Sequence, residues 1–122
     1  MKQNNAVNRK ELEDIVKSYA ELLPEWDGYH GETPKEETIK EALYFITLIP
    51  EEHKLPKTSV AGDGEVIFYW QYGQELYLEL GFYGEDVYSY IFNSHKPNVG
   101  VDGVSLKNDG IPSDLMEYIS IF

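Results

Sequence analysis

The hydrophobic period of this chain switches from helical to alternating near residue 57, and that change decides what it can fold into. Up to about residue 56 the apolar residues recur at helical spacing, and from about residue 57 they alternate. The run "KTSVAGDGEVIFYWQYGQELYLELGFYGEDVYSYIFN" keeps the period of half-buried strands, interrupted at Asp63-Gly64, Gly73-Gln74 and Gly84-Glu85. Period 2 excludes a helix there, and Gly leading a two-residue loop marks a tight hairpin turn. The run predicts four strands in consecutive hairpins.

Helices are expected on either side of it. Leu12, Ile15, Val16, Tyr19, Leu22 and Leu23 form one amphipathic stripe that Pro24 ends. A second helix is expected to start at a capping box, with Thr33 as N-cap, Pro34 in the first helical position and Glu36 three residues after the cap. Its stripe is Ile39, Ala42, Leu43, Ile46 and Ile49, up to Pro50. A short helix near residues 113–120 follows Pro112, with Leu115, Met116 and Ile119 apolar. Residues 94–111 hold four Gly or Pro and read as an irregular crossing segment, and polar residues 1–8 are expected to fray. The expectation is a single α+β domain over residues 1–122: two N-terminal helices on one face of a four-stranded antiparallel β-meander, with a short C-terminal helix. A chain of 122 residues can bury one core of that size.

Two-residue loops would also fix the register. Trp70 would oppose Tyr77, Phe68 would oppose Glu79, and Gly81 would oppose Tyr88. One face would then carry Ile67, Tyr69, Leu76, Leu78, Leu80, Phe82, Val87 and Ile91, under the helices. The other would carry Phe68, Trp70, Tyr72, Tyr77, Tyr88, Tyr90 and Phe92 around Glu79. The solvated face of an antiparallel sheet is usually polar, so an aromatic one calls for a cover. Residues 94–122 folding back, a homodimer, or a partner or ligand would each supply it. On the partner reading the protein-binding residues are Phe68, Trp70, Tyr77, Glu79, Tyr88 and Tyr90, because rigid amphipathic rings make good interface anchors.

Charge narrows the partner. Twenty-two acidic residues against ten basic ones give a net charge of −12, a field that repels nucleic-acid phosphates and anionic lipid and attracts basic surfaces. Plain solubility accounts for the same number without any partner. No apolar run approaches membrane-span length and no basic segment leads an apolar one, so neither a span nor a signal peptide is read, and a cytoplasmic location is expected. The absence of Cys removes disulfides, thiol nucleophiles and Cys-based metal centres.

Catalytic spacing is absent from the sequence. His30, His53 and His95 sit in three separate connecting segments, and no Gly-rich phosphate loop opens a helix. "EEH" at 51–53 reads as a solvated helix end, and "DVYSYIFNSHKPNVGVDG" lacks the alternating oxygens of a calcium loop. Glu79 is a lone carboxylate among Tyr residues, suited to accepting a bond from a hydroxyl. The expectation is no enzyme, no cofactor and no metal. "PEWDGYHGETPKEE", residues 24–37, has two readings. It is a connector turned at Asp27-Gly28 and plugged by Trp26 and Tyr29, or a recognition loop presenting Trp26, Asp27, Tyr29 and His30.

The W-D-G-Y element of that stretch, the Pro-led helix, "LP" at 55–56, "DGEVIFYW" and the "LYLELGF…YSYIF" strands resemble a family of short acidic bacterial proteins with a W-D-G-Y-G-type motif and no settled activity. The resemblance runs in order over residues 22 to 119. His30 departs from it, since Gly is the usual successor to the Tyr, and any left-handed turn there falls on His30. The resemblance implies an α+β domain and supplies no catalytic residue.

Together these readings point to a non-catalytic protein that neutralises a basic partner, as an antitoxin, an immunity protein or a phage anti-CRISPR or antirestriction inhibitor would. A self-associating structural domain, and a small-molecule binder with an aromatic pocket around Glu79, are the alternatives.

Overall fold

The computed structural model describes residues 8–26, 28, 31–94, 98–107 and 110–122. Most of the stretch expected to fray, together with Asp27, Tyr29, His30 and His95, lies outside the described residues. Asn8 belongs to the structure: its side chain accepts from the Glu11 amide at 2.8 Å and donates to the Glu11 carboxylate at 2.6 Å. This reciprocal bond starts helix α1, Arg9–Ser18, which a 3₁₀ turn, Tyr19–Glu21, extends. Leu12 and Val16 are its buried residues, whereas Ile15 faces solvent and Leu23, beyond the helix, is 74% exposed.

Helix α2, Glu36–Leu48, begins later than the capping box predicts. The Thr33 hydroxyl donates to the Leu22 carbonyl at 2.6 Å, and the Glu32 amide donates to Gly62. Both bonds hold the chain extended as far as Lys35, the residue that stands at the helix start without a side-chain cap. The buried stripe is Ile39, Ala42, Phe45 and Ile46, continued by Ile49, with Leu43 only half-buried. Arg9 ties the helices together by donating to the carbonyls of Ile46 and, at 2.8 Å, Ile49. A guanidinium there satisfies the unpaired end of α2 and complements its dipole.

Five antiparallel strands follow in simple meander order: β1 Lys57–Val60, β2 Val66–Tyr72, β3 Leu76–Phe82, β4 Val87–Asn93 and β5 Val99–Ser105. The expected number was four. The fifth lies within residues 94–111, where Asp102 and Gly103 together oppose Ser89 and shift the register between Tyr88 and Tyr90. That bulge separates Val101 from Val104 by three positions and hides the alternation. Helix α3, Ser113–Ser120, closes the described chain where expected.

The register also differs from the expectation, by one residue in each of two hairpins. Trp70 opposes Leu78 and Phe68 opposes Leu80 across β2 and β3, while Leu80 opposes Tyr90 and Phe82 opposes Tyr88 across β3 and β4. The first loop has three residues, Gly73 to Glu75, and the second four, Tyr83 to Asp86, with left-handed backbone at Gly73 in the first and at Gly84 and Asp86 in the second. A one-residue slip turns a strand over. The two slips cancel between β2 and β4, so Phe68, Trp70, Tyr88, Tyr90 and Phe92 do share a face. On β3, however, Leu78, Leu80 and Phe82 join them, and Tyr77, Glu79 and Gly81 fall on the other side.

The aromatic face is therefore the core. All three helices contribute to the same buried cluster as Val66, Phe68, Trp70, Leu78, Leu80 and Phe82. Phe45 of α2 meets Phe82 and Tyr88 at ring separations of 5.6 and 5.3 Å, and Tyr118 of α3 stacks on Phe92 at 4.2 Å. Two of the polar tips in this layer have partners. Trp70 donates its indole N–H to the Lys54 carbonyl and Tyr90 its hydroxyl to Asp114, both at 2.8 Å.

Candidate functional site

With the helices on one side, the other face of the sheet is left uncovered by them, and its residues come from all five strands and the turn before β2. The turn before β2 places Glu65; β2 supplies Ile67 and Tyr69; β3 supplies Tyr77, Glu79 and Gly81 and runs on to Tyr83; β4 supplies Ser89 and Ile91; at the edges β1 adds Lys57 and Ser59, and β5 adds Gly100. The register sets Tyr69 opposite Glu79, Ile67 opposite Gly81, and Ile91 beside Glu79 on the far side. Ile91 is 45% exposed and puts an aliphatic side chain in the middle of this face.

Two Tyr–Glu pairs organise this face. The Tyr77 hydroxyl donates to Glu79 Oε1 at 2.6 Å, and the Tyr69 and Tyr77 rings lie 6.3 Å apart. The Tyr83 hydroxyl stands close enough to the Glu65 carboxylate for each to shift the titration of the other. Glu65 reaches diagonally to lie over Gly81: a Cβ on that glycine would fall 1.7 Å from Glu65 Oε2. Only the missing side chain makes room for the carboxylate. Burial raises the Glu65 pKa above the ordinary range, opposed by the Tyr83 hydroxyl and reinforced by the negative charges of Asp63 and Glu79. Burial, and after it the Glu65 carboxylate, pushes Tyr83 up to about 12. Tyr77 is raised for the same two reasons, with Glu79 as its partner. Both hydroxyls therefore stay protonated at neutral pH.

Of the six candidate binding residues, Tyr77 and Glu79 meet here in a direct hydrogen bond. Phe68, Trp70, Tyr88 and Tyr90 are at most 2% exposed and lie in the core, where α2 and α3 cover them. The chain itself supplies the cover their face needs. Glu65, Tyr69 and Tyr83 are the members that the sequence reading missed, and one signal pointed to them. The alternation Leu78, Leu80, Phe82 against Tyr77, Glu79, Tyr83 divides β3 into an apolar and a polar side. Matching the apolar side to Val66, Phe68 and Trp70 requires a three-residue loop between β2 and β3.

At its Tyr83 end the face runs into a polar cleft of about 240 Å³, whose lining includes Glu32, Lys35, Asp63 and Glu85. The connector of residues 24–37 lies beside it and bonds to itself. Trp26 donates to the Glu32 carbonyl at 2.9 Å, and the Glu25 amide donates to Gly31 at 2.7 Å. Among the described residues no group of three or more His, Asp or Glu is placed to hold a metal ion, and no helix is long and apolar enough to cross a membrane. A comparison of the chain with models of protein families, with curated proteins and with solved structures finds no match.

Proposed function

We propose that this chain is a non-catalytic acidic binding module that occupies a basic surface of another protein, in the manner of an antitoxin, an immunity protein or a phage-encoded inhibitor. The observation that carries this reading is the uncovered sheet face, with two carboxylates beside tyrosine hydroxyls and an exposed Ile91, in a chain of net charge −12. Partly apolar rings and aliphatics supply the desolvated centre of an interface, and carboxylates supply orientation and encounter rate. The contact surface moves accordingly, away from Phe68, Trp70, Tyr88 and Tyr90 and onto Tyr69, Tyr77, Glu79, Glu65 and Ile91.

The test is a crosslinked pulldown at low and high salt, followed by affinity measurement on the recovered protein. The expected partner is basic and is lost at high salt. The double variant Tyr69→Ser with Ile91→Ser, which leaves the core intact, should weaken it about tenfold or more. Recovery of the chain alone, with a concentration-dependent sedimentation coefficient, would replace this reading by self-association.

A further inference from the structure

We infer that the uncovered sheet face is a docking surface for an arginine side chain of a basic partner, its guanidinium lying between the carboxylates of Glu79 and Glu65. The inference rests on the reading above and names what that reading leaves open, the chemistry of the partner's central contact.

The placement of the two acids is the first argument. Residues two apart on a strand face stand about 7 Å from each other. Glu79 and Gly81 are such neighbours, and the Glu65 carboxylate occupies the space over Gly81. Two carboxylates thus stand side by side in the middle of the face. The Tyr77 hydroxyl holds the first by a hydrogen bond, and the Tyr83 hydroxyl stands beside the second. An ionised carboxylate accepts at about four lone-pair positions, so a neighbouring tyrosine hydroxyl leaves each of them free to accept more.

The second argument is charge complementarity. Like charges held together on a half-buried bed repel each other, and a cation between them removes that cost. Among the described residues Lys57 shares this face, opposite Tyr69, but it pairs with neither glutamate. The ion pairs seen among the described residues are Lys10–Asp14, Lys40–Glu36 and Lys107–Asp86, none involving either glutamate. In a chain of net charge −12, a basic partner supplies the cation that bridges both glutamates.

The third argument selects arginine over lysine. A planar guanidinium presents N–H groups along more than one edge and can bridge two carboxylates, and it stacks on tyrosine rings, here Tyr69 and Tyr77. Ile67 and Ile91 flank the two acids and would line its methylene stem. A lysine ammonium is a compact point charge and gains less from this geometry.

Titration calorimetry of the full chain at low salt, with the blocked pentapeptide Gly-Arg-Gly-Arg-Gly and its lysine twin, tests the inference. The arginine peptide should bind about fivefold tighter than the lysine one. Glu79→Gln and Glu65→Gln should each weaken it about tenfold, while Glu117→Gln, exposed on α3, removes the same charge with under twofold effect. Gly81→Ala keeps every charge but displaces the Glu65 carboxylate, and should weaken binding about fivefold with unchanged circular dichroism. Equal affinity for the two peptides would overturn the guanidinium site and leave the basic-partner reading standing. So would equal losses from Glu117→Gln and Glu79→Gln, since a general field and not a site would then be responsible. No detectable binding of either peptide at millimolar concentration would overturn it as well.

Discussion

Glu41 is a buried carboxylate whose work is structural. From α2 it accepts the amides of Gly84 at 2.9 Å and Asp86 at 2.6 Å, fastening the loop between β3 and β4 to the helix layer. Burial raises its pKa, with these two bonds acting against the rise, and burial raises Glu65 likewise. A carboxylate whose native pKa exceeds its unfolded value of about 4.3 binds protons better when folded. Its contribution is present below the unfolded value and is lost as pH rises through the raised native one. Urea midpoints should therefore climb as pH falls from 7 toward the ordinary glutamate range, and Glu65→Gln should make that climb shallower. Identical slopes for wild type and variant would contradict the assignment. Neighbouring positions on β2 should differ sharply in another way. Trp70→Ala empties a core site and should cost about 3–5 kcal/mol, whereas Tyr69→Ala on the uncovered face should cost roughly 1 kcal/mol or less by chemical denaturation.

At the scale of elements, α1 and α2 are joined by one side chain as well as by packing. Arg9→Ala removes charge-assisted bonds to the carbonyls of Ile46 and Ile49 and should cost about 1.5–3 kcal/mol in urea unfolding. Such long-range bonds also explain what the sequence could and could not tell. Hairpins, α3 and most of the α2 stripe were legible because period and turn residues act locally. Register was not, because loop length depended on Glu41, 43 positions before Gly84, and on Asp86 accepting a left-handed conformation. β5 was hidden by a bulge, and the capping box at Thr33 yielded to a hydroxyl bond with Leu22. Within the site, Tyr77 and Glu79 were legible as strand neighbours. Glu65 was not, since its position depends on the vacancy at Gly81, which only the correct register turns outward.

At the scale of the whole molecule, charge acts over distance and shape acts at contact. Association with a cationic partner should slow steeply with added salt while dissociation changes little, because steering is screened beyond about a Debye length and close contacts are not. Stopped-flow rates at several salt concentrations would show this, and a salt-independent association rate would exclude steering. The order in which the layers are joined has a further consequence. Consecutive hairpins can pair as they emerge during synthesis, but Tyr90 and Phe92 stay bare until Asp114 and Tyr118 arrive to cover them. A nascent chain thus carries bare aromatic rings from the emergence of β4 until α3 follows. Chains cut short before α3 should accordingly be the ones that aggregate or engage chaperones.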